Sequence, residues 1–267
     1  MSVYFKENPE FLLKSLNSVI NQTVKPDEIV LVKDGKLTPE LDDAISKFSK
    51  KHSELFNIVT LKQNVGLGCA LAKGLQVCKN ELIARMDTDD ICINNRFELQ
   101  LREFDNDPKL DICGGYIEEF IDNENNIIGF RRVPLDQNDI YRYQKKRDAF
   151  NHMTVMYKKT AVLAAGNYQS CLLMEDSLLW SNMLIKNANC KNIANVLCKV
   201  RVGNEMYSRR GGWKYFIKYV LGRTKILKTG YISFFDYIET IFIQFFVAFA
   251  PLWGRKILFK YFLRSRR

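Results

Sequence analysis

Strand and helix patterns alternate along the first 115 residues, and this alternation constrains the fold most strongly. Apolar runs that end at turn residues predict buried strands, and apolar residues at helical spacing predict the helices between them. Such alternation indicates βαβ units, a parallel sheet and an α/β fold class. The strands are predicted at 1–4, 28–32, 57–60, 82–86 and 110–113, and the helices at 11–20, 38–51, 66–77 and 95–104.

The pattern changes after residue 115. It predicts an α+β second half that supplies an acceptor side to the first half's sheet. The predicted elements are a hairpin (116–120 and 127–133), helices at 137–147 and 175–186, and strands at 154–157 and 192–198.

Composition excludes several classes of protein. Of 267 residues, 47% are hydrophobic and 26% charged, which is typical of a globular chain and excludes a disordered chain, a collagen or a coiled-coil rod. Seven cysteines without a CxxC pair, and two histidines, exclude a zinc finger and a disulfide scaffold. Unpaired thiols, without a secretory signal, indicate a reducing cytoplasm.

The positive charge is concentrated at the C-terminal end. Residues 199–267 carry a formal charge of +12 and residues 1–198 a formal charge of −2, which together give the net charge of +10. Within the tail (211–267), nine aromatic residues lie between 231 and 253, and the apolar run 241–250 is interrupted only by Gln244. That run is shorter than the roughly 20 residues of a membrane span, and cationic residues flank it on both sides. We therefore predict an amphipathic helix on anionic lipid, interfacial or re-entrant; the alternative is a helix packed on the body. Nucleic acid is not favoured, because no recognised motif accompanies the charge.

A cluster of carboxylates follows the predicted strand 82–86. In the segment 85–90, Asp87, Asp89 and Asp90 would lie at the edge of the sheet where open α/β folds bind ligands. Two aspartates two residues apart can hold a hard divalent cation that bridges a diphosphate. The alternative is an acidic turn in which Asp90 caps the next helix.

Two other segments belong to the same predicted edge. Asp34 and Gly35 end an earlier strand, and the carboxylate could accept from a uracil N–H or a ribose hydroxyl, or belong to a simple β-turn. Asn64, Gly66 and Gly68 open a helix whose backbone N–H groups could face a phosphate. A third glycine and the downstream acid of a dinucleotide site are missing here.

The second half offers further candidates. Glu175 and Asp176 begin a helix, as cap residues or as the group that removes a proton from a sugar hydroxyl. His152 is either a core histidine or an acceptor-site group. Arg209 and Arg210 could clamp a diphosphate or simply solvate the base of the tail.

In this order, the motifs resemble family-2 glycosyltransferases with the GT-A fold. The resemblance is to the bacterial branch that builds capsule, O-antigen and exopolysaccharide, including amylovoran-type galactosyltransferases. It covers about 1–210 and implies a mostly parallel, Rossmann-like central sheet with helices on both faces, with 1–115 as the nucleotide-sugar half and 116–210 as the acceptor half. The matching segments are 2–4, 18–23, 26–30, 34–35, 64–66, 85–90, 150–156, 175–176 and Trp180.

The resemblance implies a role for each matching residue. The donor would be a UDP-sugar, and the cofactor Mn²⁺ or Mg²⁺. Asp176, beside Glu175, would be the catalytic base. The remaining roles are Val3, Tyr4 and Asp34 for uridine; Asn64, Gly66, Arg85, Arg209 and Arg210 for ribose and diphosphate; Asp87 and Asp89 for the metal, with Asp89 the direct ligand; and His152 and Trp180 for the acceptor.

The reaction implied is an inverting transfer of a hexose, galactose first and glucose second, to a sugar on undecaprenyl diphosphate at the cytoplasmic face of the inner membrane. Alternatives are a nucleotidyltransferase, which would release pyrophosphate, and an inactive membrane-bound scaffold. Lys33 and Lys36 beside Asp34, and Leu71, depart from the family pattern and leave the donor open. Since relatives have apolar residues before the segment 1–4, we also expect an upstream start or a shortened first strand.

Overall fold

A computed structural model describes residues 1–203 and 210–258. Its N-terminal part is a three-stranded parallel sheet in the order β1-β2-β3. The continuous apolar run of β2 is buried, as expected for a central parallel strand. The elements are β1 (Ser2–Val3), α1 (Pro9–Ile20), β2 (Ile29–Lys33), α2 (Pro39–Lys51), β3 (Phe56–Thr60) and α3 (Leu67–Val77).

The other six strands form a mixed sheet in the order β4-β8-β6-β9-β5, with β7 paired to β6. β6 and β9 are parallel, and the other pairs are antiparallel. The predicted α/β class is confirmed, with its parallel pairs in the first sheet and between β6 and β9. The strands are β4 (Leu82–Ala84), β5 (Ile91–Cys92), β6 (Ile112–Phe120), β7 (Ile127–Arg131), β8 (Met156–Lys158) and β9 (Cys190–Arg201).

The helices of this second part are α4 (Arg96–Asn106), α5 (Gln137–Gln144), α6 (Lys159–Ala164) and α7 (Glu175–Ile185), with a 3₁₀ turn at His152–Thr154. The buried cores cross the boundary at residue 115. Leu71 of α3 belongs to the same cluster as Trp180 of α7. A cavity of about 480 Å³ lies between the two sheets, lined by Val30 of β2 and Ala84 of β4.

Strand β6 corrects one detail of the sequence analysis. Separate strands were predicted at 110–113 and 116–120, but β6 runs without a break through Gly114 and Gly115, where β9 approaches closely. A Cβ at Gly114 would lie 2.4 Å from Asn192 Oδ1, and one at Gly115 would lie 2.6 Å from Leu197 Cδ1. Here glycine permits close contact between strands and does not interrupt a strand.

The tail forms three helices, α8 (Gly212–Lys228), α9 (Phe234–Phe249) and α10 (Leu252–Leu258). Ser233 and Asp236 form a capping box at the start of α9. Between α8 and α9, Arg223 Nε donates a hydrogen bond to Thr240 Oγ1 at 3.1 Å, and both side chains are buried. Among the described helices, none combines the length and the apolar character needed to cross a membrane.

Candidate active site

The loop between β4 and β5 carries the aspartate cluster. Asp87, Asp89 and Asp90 each place one carboxylate oxygen within 4.8 Å of the others. Helix α1 holds this loop, because Ser15 Oγ donates to the Asp87 carbonyl at 2.8 Å. From β9, the Arg201 backbone N–H donates to Asp90 Oδ1 at 2.9 Å. Helix α1 and strand β9 therefore both hold the aspartate cluster.

A chain of charged groups joins the two halves of the site. Arg85 Nη1 contacts Asp87 Oδ1 at 2.5 Å, and His152 Nε2 contacts Asp87 Oδ2 at 2.7 Å. On the other side of the ring, His152 Nδ1 lies 3.2 Å from Asp176 Oδ2. The order Arg85, Asp87, His152, Asp176 therefore alternates cationic and anionic groups when the imidazole is protonated.

The charges in this chain shift one another's pKa values. Burial and Arg85 lower the pKa of His152, but Asp176 and Asp87 outweigh them, so it is raised. Burial would raise the pKa of Asp87, but Arg85 and His152 hold it well below its usual range. The structure thus favours an imidazolium between two carboxylates.

The rest of the aspartate cluster lacks such compensation. Burial, with the negative charges of Asp87 and Glu7, raises the pKa of Asp89 to about 7. Burial, Asp89 and Asp87 also raise the pKa of Asp90. Mutual repulsion of this kind is relieved by a cation, and carboxylate oxygens are the ligands that Mg²⁺ and Mn²⁺ prefer. The cluster therefore fits a divalent ion, with Asp89 as the carboxylate less engaged by neighbours.

Asp34 supports the neighbouring loop. Its carboxylate accepts from the backbone N–H groups of Val65 (2.7 Å) and Gly66 (3.1 Å), and its carbonyl accepts from Asn64 Nδ2 (3.2 Å). Gly35 has φ +86°, and a Cβ there would lie 2.5 Å from the Asn64 nitrogen. The structure therefore brings these predicted donor residues together and assigns the Asp34 carboxylate a loop-holding role that the sequence did not indicate.

Helix α7 places Asp176 and Glu175 beside the donor half. Asp176 is in the first turn, and its Oδ1 is buried without a hydrogen-bond partner in the described structure. A Cβ at Gly68 of α3 would lie 2.6 Å from Glu175 Cγ, so the starts of α3 and α7 nearly touch. The Asp176 carboxylate therefore places one buried oxygen, without a hydrogen-bond partner in the described structure, at the junction of the two halves.

The remaining predicted residues lie in different surroundings. Val3 is buried in β1, and Tyr4 is 38% exposed. Trp180 is 1% exposed and packs in the core against Phe150, with ring centroids 5.6 Å apart. It therefore anchors α7 to the core. Arg210 lines a cavity at the base of the tail. Arg209 lies outside the described residues.

Sequence reasoning missed two features of the site. His152 was expected only on the acceptor side, but it contacts carboxylates of both halves. Glu7, which was not predicted, accepts from Thr88 Oγ1 at 2.6 Å and holds the aspartate loop. A contact between residues 81 positions apart gives no signal in one sequence.

Comparisons with known proteins show to which family the chain is similar. The profile of glycosyl transferase family 2 matches residues 1–163. A UDP-Gal:alpha-D-GlcNAc-diphosphoundecaprenol beta-1,3-galactosyltransferase of Escherichia coli is 36% identical over 99% of this chain and 95% of its own. The amylovoran biosynthesis glycosyltransferase AmsE of Erwinia amylovora is 39% identical over 87% of each chain. An uncharacterised glycosyltransferase of Haemophilus influenzae is 43% identical over 83% of this chain and 85% of its own.

Solved structures show the same fold. The mannosyltransferase PcManGT of Pyrobaculum calidifontis, in complex with GDP-Man and Mn²⁺, aligns with a TM-score of 0.64 at 14% identity, over 92% of this chain and 68% of its own. Residues 1–349 of S. aureus TarS align with a TM-score of 0.59 at 16% identity, over 95% of this chain and 76% of that one. The expected GT-A fold is confirmed.

Proposed function

The chain belongs to glycosyltransferase family 2, and we propose that it transfers galactose from UDP-galactose to a sugar carried on a lipid diphosphate. Such a transfer would be a step in the assembly of a surface polysaccharide, and the name of the relative AmsE gives amylovoran biosynthesis as the role of that enzyme. Glucose is the second candidate for the transferred sugar. The family favours glycosyl transfer over the nucleotidyl transfer and the inactive scaffold considered from the sequence.

The direct contact chain from Arg85 through Asp87 and His152 to Asp176 carries this proposal. It links the loop that would face the donor to the group that would activate the acceptor. Asp176 would take the proton of an acceptor hydroxyl, because its Oδ1 has no other partner in the described structure. His152 would position Asp176 through Nδ1.

Donor binding would fall to the strand-edge residues. Tyr4 is exposed beside β1. Asn64 and Gly66 precede α3, and because Asp34 holds the N–H of Gly66, the backbone N–H groups of the first turn of α3 would face phosphate. Asp89, with Asp87, would hold Mn²⁺ or Mg²⁺, which when bound neutralises charge on the departing UDP. Attack by the deprotonated hydroxyl opposite the leaving group inverts the anomeric carbon.

The tail would hold the enzyme on the cytoplasmic face of the inner membrane. The exposed aromatic side chains of α9 include Phe235 (83%), Phe242 (63%) and Phe246 (56%), which is unusual for a helix facing water. The chain's positive charge is concentrated around this tail and would attract anionic lipid. The proposed domains are accordingly 1–210 for catalysis and 211–267 for membrane contact.

UDP release tests the proposed reaction. The protein with Mn²⁺ is offered UDP-galactose, UDP-glucose and UDP-GlcNAc, with or without a synthetic GlcNAc-diphosphate-lipid. We expect acceptor-dependent UDP release with UDP-galactose and a disaccharide product of inverted configuration. Release of pyrophosphate, or transfer with retained configuration, would contradict the proposal.

A further inference from the structure

The loop 169–174, which leads into α7, holds two leucines in an unfavourable backbone conformation. Leu172 has φ 47° and Leu173 has φ 91°, a region that a bulky side chain rarely adopts. Their side chains are 40% and 54% exposed, so packing inside the protein does not offset the strain. The next residues but one are Glu175 and Asp176. Strained and exposed apolar residues at this position indicate contact with something outside the chain.

Helix α8 holds this loop. Lys225 Nζ donates a hydrogen bond to the Ser170 carbonyl at 2.7 Å. Gly222 is buried against the loop. A Cβ at Gly222 would lie 2.9 Å from Met174 Sδ and 3.3 Å from the Cys171 carbonyl oxygen. The loop therefore has a fixed place beside α8, and the two leucines are exposed between these attachments.

The exposed face of α8 carries an apolar row and a row of lysines. Residues four or seven positions apart lie on the same face of a helix. An apolar row bordered by lysines is typical of a helix that lies in the interface of a bilayer, because the lysine stems follow the apolar surface while the ammonium groups reach the headgroups. The apolar row is Trp213, Ile217 and Leu221, the lysine row is Lys214, Lys218 and Lys225, and all six are exposed.

The two rows of α8 connect α9 with the loop. At one end, the centroid of the Trp213 ring lies 5.9 Å from that of Phe249 on α9, and both rings are exposed. At the other end, Lys225 reaches Ser170. The exposed aromatic side chains of α9, the two rows of α8 and the two leucines are called the three-part surface below. It ends at the loop that leads to Asp176.

We propose that the three-part surface binds an anionic lipid bilayer and that Leu172 and Leu173 enter the lipid next to the proposed base. The inference rests on the proposed function, which places α9 on the membrane, and it adds α8, the loop and an orientation. Contact of α9 alone would not orient the site, whereas lipid contact of the loop turns the acceptor side toward the bilayer. The lysine row favours lipid over an apolar protein partner, since ammonium groups are complementary to anionic headgroups.

The double change Leu172→Asn and Leu173→Asn tests the loop. Asparagine adopts positive φ more readily than leucine, so the variant removes the apolar side chains without new backbone strain. Its affinity for vesicles of equal parts phosphatidylcholine and phosphatidylglycerol, measured by sedimentation, should fall about tenfold. Its free energy of unfolding in urea should not fall. Unchanged vesicle affinity would overturn the inference, and a lower free energy of unfolding would show that the leucines serve the fold instead.

The matched control for the loop is Leu163→Asn. Leu163 is 42% exposed, like Leu172, but it lies on α6, outside the three-part surface. This variant should bind vesicles as tightly as the unchanged protein. An equal loss in Leu163→Asn would mean that any exposed leucine contributes, and would overturn the role of the loop.

The double change Lys214→Gln and Lys218→Gln tests the lysine row. At low salt, affinity for the anionic vesicles should fall about 30-fold, because each lysine near a charged lipid surface is worth about fivefold. Affinity for vesicles of phosphatidylcholine alone should not change. Lys50→Gln with Lys51→Gln removes the same charge from exposed positions on α2 and is the matched control. Equal losses on both kinds of vesicle, or equal losses in the control, would overturn the lysine row.

Vesicle binding needs neither donor nor acceptor, which separates this inference from the proposed reaction. If no UDP is released with any acceptor but the loop and lysine variants lose vesicle affinity as expected, the proposed reaction is refuted and the three-part surface stands. If galactose is transferred but the Leu172→Asn, Leu173→Asn variant binds vesicles like the unchanged protein, the reaction stands and this inference is refuted.

Discussion

The body and the helices α8–α9 differ in where their large apolar side chains lie. In the body, Leu12, Leu31 and Trp180 are buried, and charged groups gather at the strand edge. In the tail, Arg223 and Thr240 are buried between the helices, while aromatic side chains of α9 face outward. A helix arranged in this way has the pattern expected of a protein surface that meets apolar material. One chain therefore presents a charged surface at the strand edge and an apolar surface on α9, and four substitutions test this difference.

Asp89→Asn should have the largest effect. It removes the carboxylate of the cluster that has the fewest contacts with neighbouring groups and that would therefore bind the metal directly. The rate of metal-dependent transfer should fall by about three orders of magnitude or more. UDP release with Mn²⁺ measures the loss, and circular dichroism checks the fold. Normal activity in Asp89→Asn would show that the cluster is structural.

Asp176→Asn should lower kcat by about 10²- to 10⁴-fold, because the amide cannot accept the proton. UDP binding, followed by calorimetry with Mn²⁺, should remain. If UDP affinity falls in parallel with kcat, the group belongs to donor binding and the base lies elsewhere.

The double change Phe242→Ser and Phe246→Ser should weaken binding to anionic vesicles about 100-fold, since burial of each ring is worth at least about 1.5 kcal/mol and about 1.4 kcal/mol is tenfold in affinity. Turnover of a short-chain, water-soluble acceptor should not change. Ile128→Ser, at an exposed apolar position on β7, is the matched control and should bind vesicles normally. Unchanged sedimentation of the double variant with vesicles would remove the apolar face from membrane contact.

Thr240→Val should have the smallest effect. It keeps the shape but removes the acceptor of Arg223 Nε, so the free energy of unfolding should fall by about 1–2 kcal/mol. Urea unfolding measures it. A neutral or stabilising result would mean that Arg223 does not need this partner inside the tail.

Much of the donor half followed from local sequence patterns. Strand β2, helix α2 and the loop 85–90 were predicted at nearly the observed positions, since each depends on nearby residues. Thr38 and Pro39, for example, mark the start of α2 in the sequence and cap it in the structure.

The rest depends on distant contacts that one sequence does not show. The two-residue strand β5 forms because Cys92 pairs with Cys198 of β9, more than a hundred positions away. His152 bridges the halves for the same reason. The apolar run in the tail predicted a helix. That α8 is held to α9 by hydrogen bonds between polar side chains, Arg223 with Thr240 and Thr224 with Tyr237, is seen only in the structure.

The contact of Gly68 with Glu175 limits how relatives could exchange parts. Any side chain at position 68 would meet the Gln169 carbonyl and Glu175 at 2.6 Å and push α7 away from α3. A chimaera that takes residues 1–115 from one enzyme and the rest from another would therefore keep the packing of α3 on α7 only if Gly68 and the segment 169–175 fit each other. A change of donor specificity would then be expected at residues around this contact, while Gly68 and the segment 169–175 stay the same.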